Sequence, residues 1–404
     1  MNLPNTTLCV LPWVSIEASP IGTVRPCCLA DDEIVDDSGQ KFKLGTANFQ
    51  DIQNSSHMRN LRAQFLAGEK PQTCRKCWNE ERAGRASKRM HTLDRLKHML
   101  PDQAWTTDAK PLMFLDLKLG NICNLKCRIC GPWSSSQFAT EGLNFMPREE
   151  QKRSHAYQML RAGAWPRENE QFWSQIDTVL SDIRYIEFTG GEPFMIDQHF
   201  DMLQGIVDRG IAHNVEIHYN TNGTQWPENA PEIWKHFKLV EIALSIDDVG
   251  ERFEYQRSNA IWSEVEANVR RFAELKAQST NIELQCCTTV NVFNVRYLEH
   301  VAAWIDQQPF NFVYWNMMHD AWYFSIATLP EEAKAGITAH LQSAQFPERF
   351  RGEINNIIEF MNRGASTDGN IMRMRIRDLD RKRSQDMAQI QPEFAALINY
   401  TYAT

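Results

Sequence analysis

Six short apolar stretches recur between Leu112 and Met318, separated by loops or by longer segments with helical spacing. They span residues 112–119, 183–189, 215–220, 239–246, 282–290 and 312–318. Such alternation is typical of repeated β/α units with parallel strands. Six units are fewer than the eight that close a TIM barrel. We therefore predict an α/β fold built on a partial (β/α)6 TIM-like barrel.

The alternation within these strands separates an apolar face from a polar face. The apolar positions are Leu115, Leu117, Leu119, Ile186, Phe188, Val240, Ile242, Leu244 and Ile246. The polar positions are Asp116, Lys118, Glu187, Thr189, Glu216, His218, Asn220, Glu241, Ser245, Asp247, Glu283, Gln285, Cys287 and Thr289. The outward face of a β/α barrel packs on helices and is apolar. Since each unpaired buried polar group costs roughly 1–3 kcal/mol, the polar inward face predicts a hydrated or ligand-filled lumen.

The segments on either side of the barrel differ from it. A cysteine-bearing region with Gly and Pro punctuation precedes Leu112, and helical spacing dominates after Ile326. We predict a small N-terminal α+β domain with a connecting helix over residues 1–104, the barrel over 105–325 and a helical C-terminal extension over 326–404. The basic stretch from Arg82 to Lys97 is interpreted as a solvated connecting helix.

The composition is that of a globular protein, with 43% hydrophobic and 23% charged residues among 404. A net charge of -8 does not favour a nucleic-acid partner. The N-terminus lacks the pattern of a secretory signal, and no run of about 18 apolar residues could span a bilayer. We expect a cytoplasmic protein with no membrane or nucleic-acid partner.

Ten cysteines carry the candidate chemistry. In a reducing compartment, closely grouped cysteines more often bind metal or do redox chemistry than form disulfides. They form three groups: Cys9, Cys27, Cys28, Cys74 and Cys77; Cys123, Cys127 and Cys130; Cys286 and Cys287. The last pair lies in the middle of a predicted strand, and we interpret both as core residues.

The central triplet, Cys123, Cys127 and Cys130, has the spacing Cx3Cx2C and directly follows the first barrel strand. The loops at this end of the strands carry the active site in β/α barrels. Three thiolates can bind three irons of a [4Fe-4S] cluster and leave the fourth iron open to an exogenous ligand. Zinc held by the same thiolates and a distant histidine is the alternative.

The second barrel strand ends in the sequence FTGGEPF, residues 188–194. Gly190 and Gly191 allow close approach of the backbone, and Glu192 can accept hydrogen bonds from an ammonium group. Alone, such a segment would be only a turn. At this distance from the cysteine triplet it indicates a second part of one site.

Together the cysteine triplet and the GGE turn resemble the radical S-adenosylmethionine (SAM) superfamily, with Ile129 as the apolar residue before the last cysteine. The resemblance implies that SAM chelates the open iron and that Glu192, with the Gly190 and Gly191 backbone, receives its ammonium group. It further implies that Ser245 and Arg257 hold the SAM carboxylate and that Asp247 or Asn222 bonds the ribose. The fifth strand departs from the family pattern, and Asn291 is our candidate there for an adenosine contact.

The N-terminal cysteines resemble the SPASM and twitch extensions of that superfamily, which begin with a Cx(9–15)Gx4C pattern. Cys9, Gly22 and Cys27 fit this spacing, and the pair Cys74 and Cys77 follows later. The resemblance implies a β-hairpin, then a helix, and one auxiliary [4Fe-4S] cluster held by Cys9, Cys27, Cys74 and Cys77. Such extensions commonly follow the barrel, whereas this one precedes it. Cys28 could replace Cys27, and a zinc ribbon is the alternative for the whole site.

The resemblance implies that the chain reductively cleaves SAM to a 5′-deoxyadenosyl radical, which abstracts a hydrogen atom from a substrate. A flavodoxin- or ferredoxin-type protein would supply the electron. We expect a peptide or protein substrate, with a small molecule such as a sugar, nucleoside or amino acid as the alternative. A non-catalytic iron-sulfur electron carrier and a zinc-binding interaction module are further alternatives. Neither explains the GGE turn or the polar barrel face.

Overall fold

A computed structural model describes residues 3–82, 86–100, 104–319 and 321–401. The chain divides into two compact units, which we treat separately. Unit 1 comprises residues 1–123, 132–219 and 227–240, and unit 2 comprises residues 124–131, 220–226 and 241–404. An element that crosses a boundary is assigned to the unit holding most of its residues.

Unit 1 contains a mostly parallel set of strands in the order β2-β1-β3-β4-β5. The strands are β1 (Ser15–Ala18), β2 (Val24–Arg25), β3 (Phe114–Lys118), β4 (Tyr185–Thr189) and β5 (Glu216–Thr221). Strand β1 is antiparallel to β2, and the pairs β1–β3, β3–β4 and β4–β5 are parallel. The register places Glu17, Asp116, Glu187 and His218 side by side across four strands. One face of this sheet therefore carries a continuous row of ionisable groups.

The helices of unit 1 precede and connect these strands. They are α1 (Leu11–Val14), α2 (Phe49–Gln53), α3 (Ser56–Leu66), α4 (Arg75–Arg82), α5 (Lys88–Leu96), α6 (Ser136–Asn144), α7 (Arg148–Gln151), α8 (His155–Gly163), α9 (Trp165–Glu168), α10 (Glu170–Ile176), α11 (Gln198–Asp208) and α12 (Ala230–Trp234). Side-chain caps fix several starts: Ser55 accepts from the Met58 amide at α3, and Ser87 accepts from the Met90 amide at α5.

Unit 2 contains strands in the order β6-β7-β8. They are β6 (Leu239–Ser245), β7 (Ile282–Val290) and β8 (Phe312–Met317). Along β7, burial alternates strictly, with Cys286 buried and Cys287 half-buried. Its even-numbered positions face the core, as expected for a strand with one face packed on helices.

The helices of unit 2 continue to the end of the described chain. They are α13 (Gly250–Gln256), α14 (Trp262–Ala277), α15 (Leu298–Asp306), α16 (Glu331–Ser343), α17 (Arg351–Arg363), α18 (Asn370–Arg383), α19 (Met387–Ile390) and α20 (Pro392–Leu397). Helix α17 buries Ile354, Ile357, Ile358 and Met361, the i, i+3, i+4, i+7 stripe of an amphipathic helix. The C-terminal region is thus helical and has a packed core.

The predicted α/β fold class, a partial barrel with a small N-terminal α+β domain and a helical C-terminal extension, is confirmed. The six predicted barrel strands are β3 to β8, and each agrees with its predicted span to within two residues at either end. The N-terminal hairpin, β1 and β2, also forms and is followed by helix α2. The pairing of β1 with β3 was not foreseen. The domain boundaries near residues 105 and 326 remain a prediction.

Candidate functional site

The loop that follows β3 begins within unit 1. Gly120 has a φ of +74°, and a Cβ atom there would lie 2.0 Å from the carbonyl oxygen of Gly163. The Cys123 amide donates to Ser136 Oγ at 3.1 Å, and this hydroxyl lies 3.1 Å from the Cys123 carbonyl oxygen. Cys123 is buried. Ser136, the first residue of α6, therefore fixes the position of the first cysteine of the triplet.

The remainder of the cysteine loop belongs to unit 2. The Lys126 amide donates to the Ser258 carbonyl at 3.0 Å, and the Arg128 amide donates to the Gln256 carbonyl at 2.8 Å. Within the loop, the Cys130 amide donates to the Cys127 carbonyl at 3.1 Å. These backbone bonds tie the loop to the segment that carries Arg257.

The thiol of Cys127 lies in an electrostatic setting that favours its ionised form. A hydrogen bond from Cys130, together with the charges of Arg257 and Arg383, lowers the Cys127 pKa to about 7, although burial and the charge of Asp247 oppose this. Nη1 of Arg257 lies 4.0 Å from the Cys127 sulfur. Thiolates, not thiols, bind metal. The setting of Cys127 therefore favours the thiolate, the form that its predicted role as an iron ligand requires.

Arg257 is held by Asp247. The Nε and Nη2 atoms of Arg257 lie 2.9 and 2.7 Å from Asp247 Oδ2, and the Thr289 amide donates to Oδ1 at 2.8 Å. Burial disfavours the guanidinium charge, yet Asp247 and the two nearby cysteines raise the pKa of Arg257. This fixed cation is suited to binding a carboxylate.

The other predicted SAM contacts in unit 2 have different surroundings. Asn222 is buried and donates to Asn124 at 3.0 Å, while its oxygen accepts from Thr224. Asn291 is fully buried, donating to the Thr289 carbonyl and accepting from the Phe293 amide, which shapes the turn after β7. Both side chains already stabilise loops. Ser245 ends β6 and Ile129 lies between Cys127 and Cys130, and both are half-buried.

The GGE turn follows β4 in unit 1. The Gly191 amide donates to the Gly120 carbonyl at 3.1 Å, and the Glu192 amide donates to the Ile122 carbonyl at 2.8 Å. Gly190 has a φ of +112°, and a Cβ atom on Gly191 would lie 2.2 Å from the Ile122 oxygen. Glu192 is buried, and one of its oxygens accepts from the Phe194 amide at 3.2 Å. Only glycines permit this close packing against the residues that lead into Cys123.

Four of the five N-terminal cysteines come together in unit 1. Burial raises the pKa of Cys9 well above its usual value, and the nearby Cys27, Cys74 and Cys77 raise it further. Burial also raises the pKa of Cys27 to about 11, with Cys77 adding to the effect. The Gly22 turn, with a φ of +80°, reverses the hairpin between Cys9 and Cys27. Cys27, Cys74 and Cys77 thus lie close enough to Cys9 to act on its thiol, and four cysteines in such proximity are a donor set that fits an iron-sulfur cluster.

The charged groups around Cys28 differ from those around Cys27. Burial raises its pKa, while Lys88 opposes this effect and Asp116 and Glu187 add to it. Both cysteines lie in a turn after β2, in which the Ala30 amide donates to the Cys27 carbonyl at 3.1 Å, and not on the extended strand that the sequence suggested. The arrangement favours Cys27 as the fourth ligand, and that assignment stays a prediction.

None of the ten cysteines, all of which the structure describes, is in a disulfide. Among the described residues, no three or more His, Cys, Asp or Glu side chains are grouped tightly enough to hold a single metal ion. The donor sets of both predicted sites nevertheless fit iron-sulfur clusters, which thiolates ligate. Cys286 and Cys287, interpreted as core residues, lie on β7.

Helix α5 covers the ionisable row of unit 1 instead of standing in solvent. Lys88 lies 2.9 Å from Glu187, and Arg95 lies 3.2 Å from Glu216. Lys238 also pairs with Glu216, at 2.9 Å. Much of the polarity of this face is therefore satisfied by ion pairs. The helix predicted to be solvated is thus partly packed on this face over the described residues 86–97, while residues 83–85 of the predicted helix lie outside the described part of the chain.

Two polar atoms on this face remain without a hydrogen-bond partner among the described residues, Asp116 Oδ2 and Thr189 Oγ1. Asp116 is 2% exposed, and burial and the nearby Glu187 raise its pKa to about 6.

A cavity of about 620 Å³ lies beside α5, lined by His91, Asp94, Arg95, His98, Met99, Glu216 and Lys238. No helix of the described chain is long and apolar enough to cross a membrane.

Comparisons with known proteins agree with this organisation. The model of the radical SAM superfamily matches residues 117–304, and that of the SPASM iron-sulfur cluster-binding domain matches residues 9–78. The search of curated proteins gives no match. The chain is similar to native anSMEcpe with bound AdoMet, that is SAM, at 18% identity over 63% of each chain with a TM-score of 0.38. It is also similar to native anSMEcpe with bound AdoMet and the Cp18Cys peptide, at 18% identity over 58% of this chain and 59% of that chain with a TM-score of 0.37. A third similar structure is TYW1 with a lysine-pyruvate adduct bound, at 11% identity over 52% of this chain and 64% of that chain with a TM-score of 0.29.

The matched region spans less than two thirds of each of these solved chains. The radical SAM domain binds SAM and a [4Fe-4S] cluster, and the SPASM domain binds an auxiliary iron-sulfur cluster. The chain therefore carries a SPASM iron-sulfur cluster-binding domain over residues 9–78 and a radical SAM domain over residues 117–304.

Proposed function

We propose that this chain cleaves SAM reductively and removes a hydrogen atom from a peptide or protein substrate. When bound, the cluster of the radical SAM domain supplies the electron that splits SAM into methionine and a 5′-deoxyadenosyl radical. A flavodoxin- or ferredoxin-type protein is the proposed reductant. The single observation that carries the proposal is the position of Arg257 between Cys127 and Asp247.

Arg257 performs two tasks in this proposal. Its charge stabilises the thiolate of Cys127, which ligates iron together with Cys123 and Cys130. Its guanidinium also binds the SAM carboxylate, assisted by Ser245, because a fixed guanidinium fork suits a carboxylate. Asp247 holds the fork in place and prevents rotation of the side chain.

The remaining SAM contacts are assigned by their position in the motifs. Glu192 and the backbone of Gly190 and Gly191 receive the ammonium group. Asn222 or Asp247 bonds the ribose, and Asn291 shapes the adenosine side of the site. These residues align SAM and exclude water from the radical, which is the contribution a protein makes to cofactor chemistry.

The auxiliary cluster is assigned to Cys9, Cys27, Cys74 and Cys77. Their mutual proximity within unit 1 supports this assignment. When bound at these cysteines, the auxiliary cluster would supply either a coordination site for the substrate or an acceptor for the electron that the substrate radical loses. In the second case the overall reaction is an oxidation.

A peptide or protein substrate is supported by strand β8 of unit 2. Among the described strands β8 pairs only with β7, which leaves its other edge available for main-chain hydrogen bonds. Phe312 and Tyr314 are 55% and 51% exposed on this strand. An extended peptide can add to such an edge and place alternate side chains against exposed aromatic rings.

The test is anaerobic incubation of the reconstituted protein with SAM and a strong reductant. We expect 5′-deoxyadenosine from the wild type and none from Cys127→Ala. A Cys286→Ala variant is the matched control, since this buried cysteine on β7 is assigned to neither ligand set. Peptides should stimulate the reaction and change in mass. Stimulation by sugars, nucleosides or free amino acids alone would contradict the peptide assignment but not the cleavage of SAM.

A further inference from the structure

The C-terminal helices lie beyond the radical SAM match, which ends at residue 304. One of them, α18 (Asn370–Arg383), reaches the cysteine loop inside unit 2 through Asp380 and Arg383. These two residues are three positions apart, so they lie on one face of the helix. Asp380 contacts Arg128 within the loop of Cys127 and Cys130, and Arg383 contacts Ser258, whose backbone is bonded to that loop.

The first contact is a buried ion pair. Arg128 lies between Cys127 and Cys130 in sequence and is only 1% exposed. Its Nη2 atom lies 2.6 Å from Asp380 Oδ1 and 2.7 Å from Gln385 Oε1. Its Nε atom donates to the Tyr255 carbonyl at 2.8 Å, and its guanidinium carbon lies 3.6 Å from the centre of the Tyr255 ring. The Nε and Nη2 atoms of Arg128 are thus held by three different partners, while Nη1 has no hydrogen-bond partner among the described residues.

Asp380 is equally constrained. Oδ1 accepts from the Tyr255 hydroxyl at 2.9 Å, while Oδ2 accepts from the Tyr400 hydroxyl at 2.7 Å and from the Met387 amide at 3.0 Å. The carboxylate is fully buried. Removing one partner of a buried ion pair leaves the other charge buried and uncompensated, which is strongly unfavourable. The position of Arg128 is therefore coupled to the last described residues of the chain.

The second contact runs through the segment that carries Arg257. Nη1 of Arg383 donates to Ser258 Oγ at 3.0 Å. The carbonyl of Ser258 accepts from the Lys126 amide, one residue before Cys127. The helix thus holds the loop both at Arg128 and, through Ser258, at Lys126.

We propose that helix α18 is a clasp that positions the cysteine loop for the iron-sulfur cluster, with Asp380 acting through Arg128 and Arg383 acting through Ser258. The inference rests on the proposed function in that Cys127 and Cys130 are taken as ligands. Asp380 and Arg383 are positioning residues, since neither is assigned to touch the cluster or SAM. Partners behind a ligand set commonly change metal affinity about 10–100-fold when they are removed.

The test compares Asp380→Asn with Asp378→Asn in the reconstituted full-length protein. Asp378 lies on the same helix and pairs with Lys382 at 2.7 Å near the surface, so the same substitution there is the matched control. Two quantities are measured. One is the rate of iron loss to a chelator. The other is the midpoint potential of the reduced cluster whose electron paramagnetic resonance signal changes when SAM is added.

Asp380→Asn should lose iron from the SAM-responsive cluster about tenfold faster than the wild type. It should also shift the midpoint to a less negative potential, because the uncompensated charge of Arg128 favours the reduced cluster. Asp378→Asn should match the wild type in both measurements. Equal iron loss and equal midpoints in Asp380→Asn and the wild type would overturn the proposal.

A second variant covers the case in which Asp380→Asn does not fold. The double substitution Arg128→Met with Asp380→Leu removes both charges together, which is often neutral or stabilising in a buried pair. It should fold and lose iron faster, without the shift towards less negative potential. Wild-type iron retention in this variant would overturn the clasp. If the wild type makes no 5′-deoxyadenosine and the Asp380 variants still change the cluster, the proposed function fails and the clasp stands.

Discussion

The guanidinium of Arg257 links Cys127 to Asp247, with Nη1 4.0 Å from the cysteine sulfur and Nε 2.9 Å from the carboxylate. One side chain thus connects a predicted iron ligand with a residue at the end of β6. Because Asp247 also accepts from the Thr289 amide, the cation is fixed to the barrel strands of unit 2. This arrangement leads to the first prediction.

Arg257→Gln should weaken SAM binding about tenfold or more, since a hydrogen bond to a charged group contributes about 1.5–3 kcal/mol. Arg252→Gln is the control. Arg252 lies on α13, just before Arg257, and its Nε atom lies 3.1 Å from Asp248 Oδ1. It is not assigned to bind SAM. Equilibrium binding of SAM to reconstituted protein measures the effect. Equal affinities for the two variants would show that Arg257 does not hold SAM.

Gly191→Ala should disturb the turn after β4 and the loop leading to Cys123. Its added Cβ would lie 2.2 Å from the Ile122 oxygen, so the backbone must shift. We expect SAM affinity to fall about tenfold, the effect of losing about 1.4 kcal/mol. The control is Gly352→Ala, where the added Cβ meets nothing within 4 Å and the substitution should stabilise helix α17. Isothermal titration and thermal unfolding distinguish the two. Unchanged SAM affinity in Gly191→Ala would contradict the assignment.

Serine substitution of Cys9, Cys27, Cys74 or Cys77 should each remove the auxiliary cluster, because Cys27, Cys74 and Cys77 all lie close enough to Cys9 to act on its thiol. Iron and sulfide content should then fall by about half, as expected for one of two [4Fe-4S] clusters. Cys28→Ser is the matched control and should retain full iron content. If Cys28→Ser lost iron and Cys27→Ser retained it, Cys28 would be the ligand in place of Cys27. Zinc in this site after anaerobic preparation would contradict an auxiliary cluster.

His199 should contribute a pH-dependent part of the stability of unit 1. Burial lowers its pKa to about 3, while its ring bonds the Ile196 carbonyl and the Tyr219 hydroxyl. The unfolded chain takes up this proton near pH 6.5 and the folded chain only near pH 3, so stability is full above pH 6.5 and falls as the pH drops below it. Unfolding by urea between pH 7 and 4 should therefore show a smaller decline in His199→Gln than in the wild type. Equal declines would show that His199 is protonated in the folded state.

Strand patterns were readable from the sequence because each depends on neighbouring residues. In β7, side chains alternate between buried and half-buried positions, and this period of two is present in the sequence itself. The Cx3Cx2C spacing and the GGE turn are likewise local. They predicted the cofactor class that the family comparisons support.

Other features were missed because the sequence gives them no local signal. Strand β1 has four residues, too few for a periodic pattern, and it joins the sheet only because β3 offers a parallel edge. The cations of α5 looked like a solvated basic patch. Two of them, Lys88 and Arg95, instead pair with acids about one hundred residues away, Glu187 and Glu216.

The sequence by itself determined the order of strands, the cysteine spacings and the glycines of the turn, since these follow from local backbone geometry and ligand chemistry. The tertiary structure alone decided which charges meet. Arg128 and Asp380 are 252 residues apart, and nothing in either neighbourhood predicts their pair. Such contacts depend on how the whole chain closes around its core, because a buried charge is stable only where folding delivers its partner.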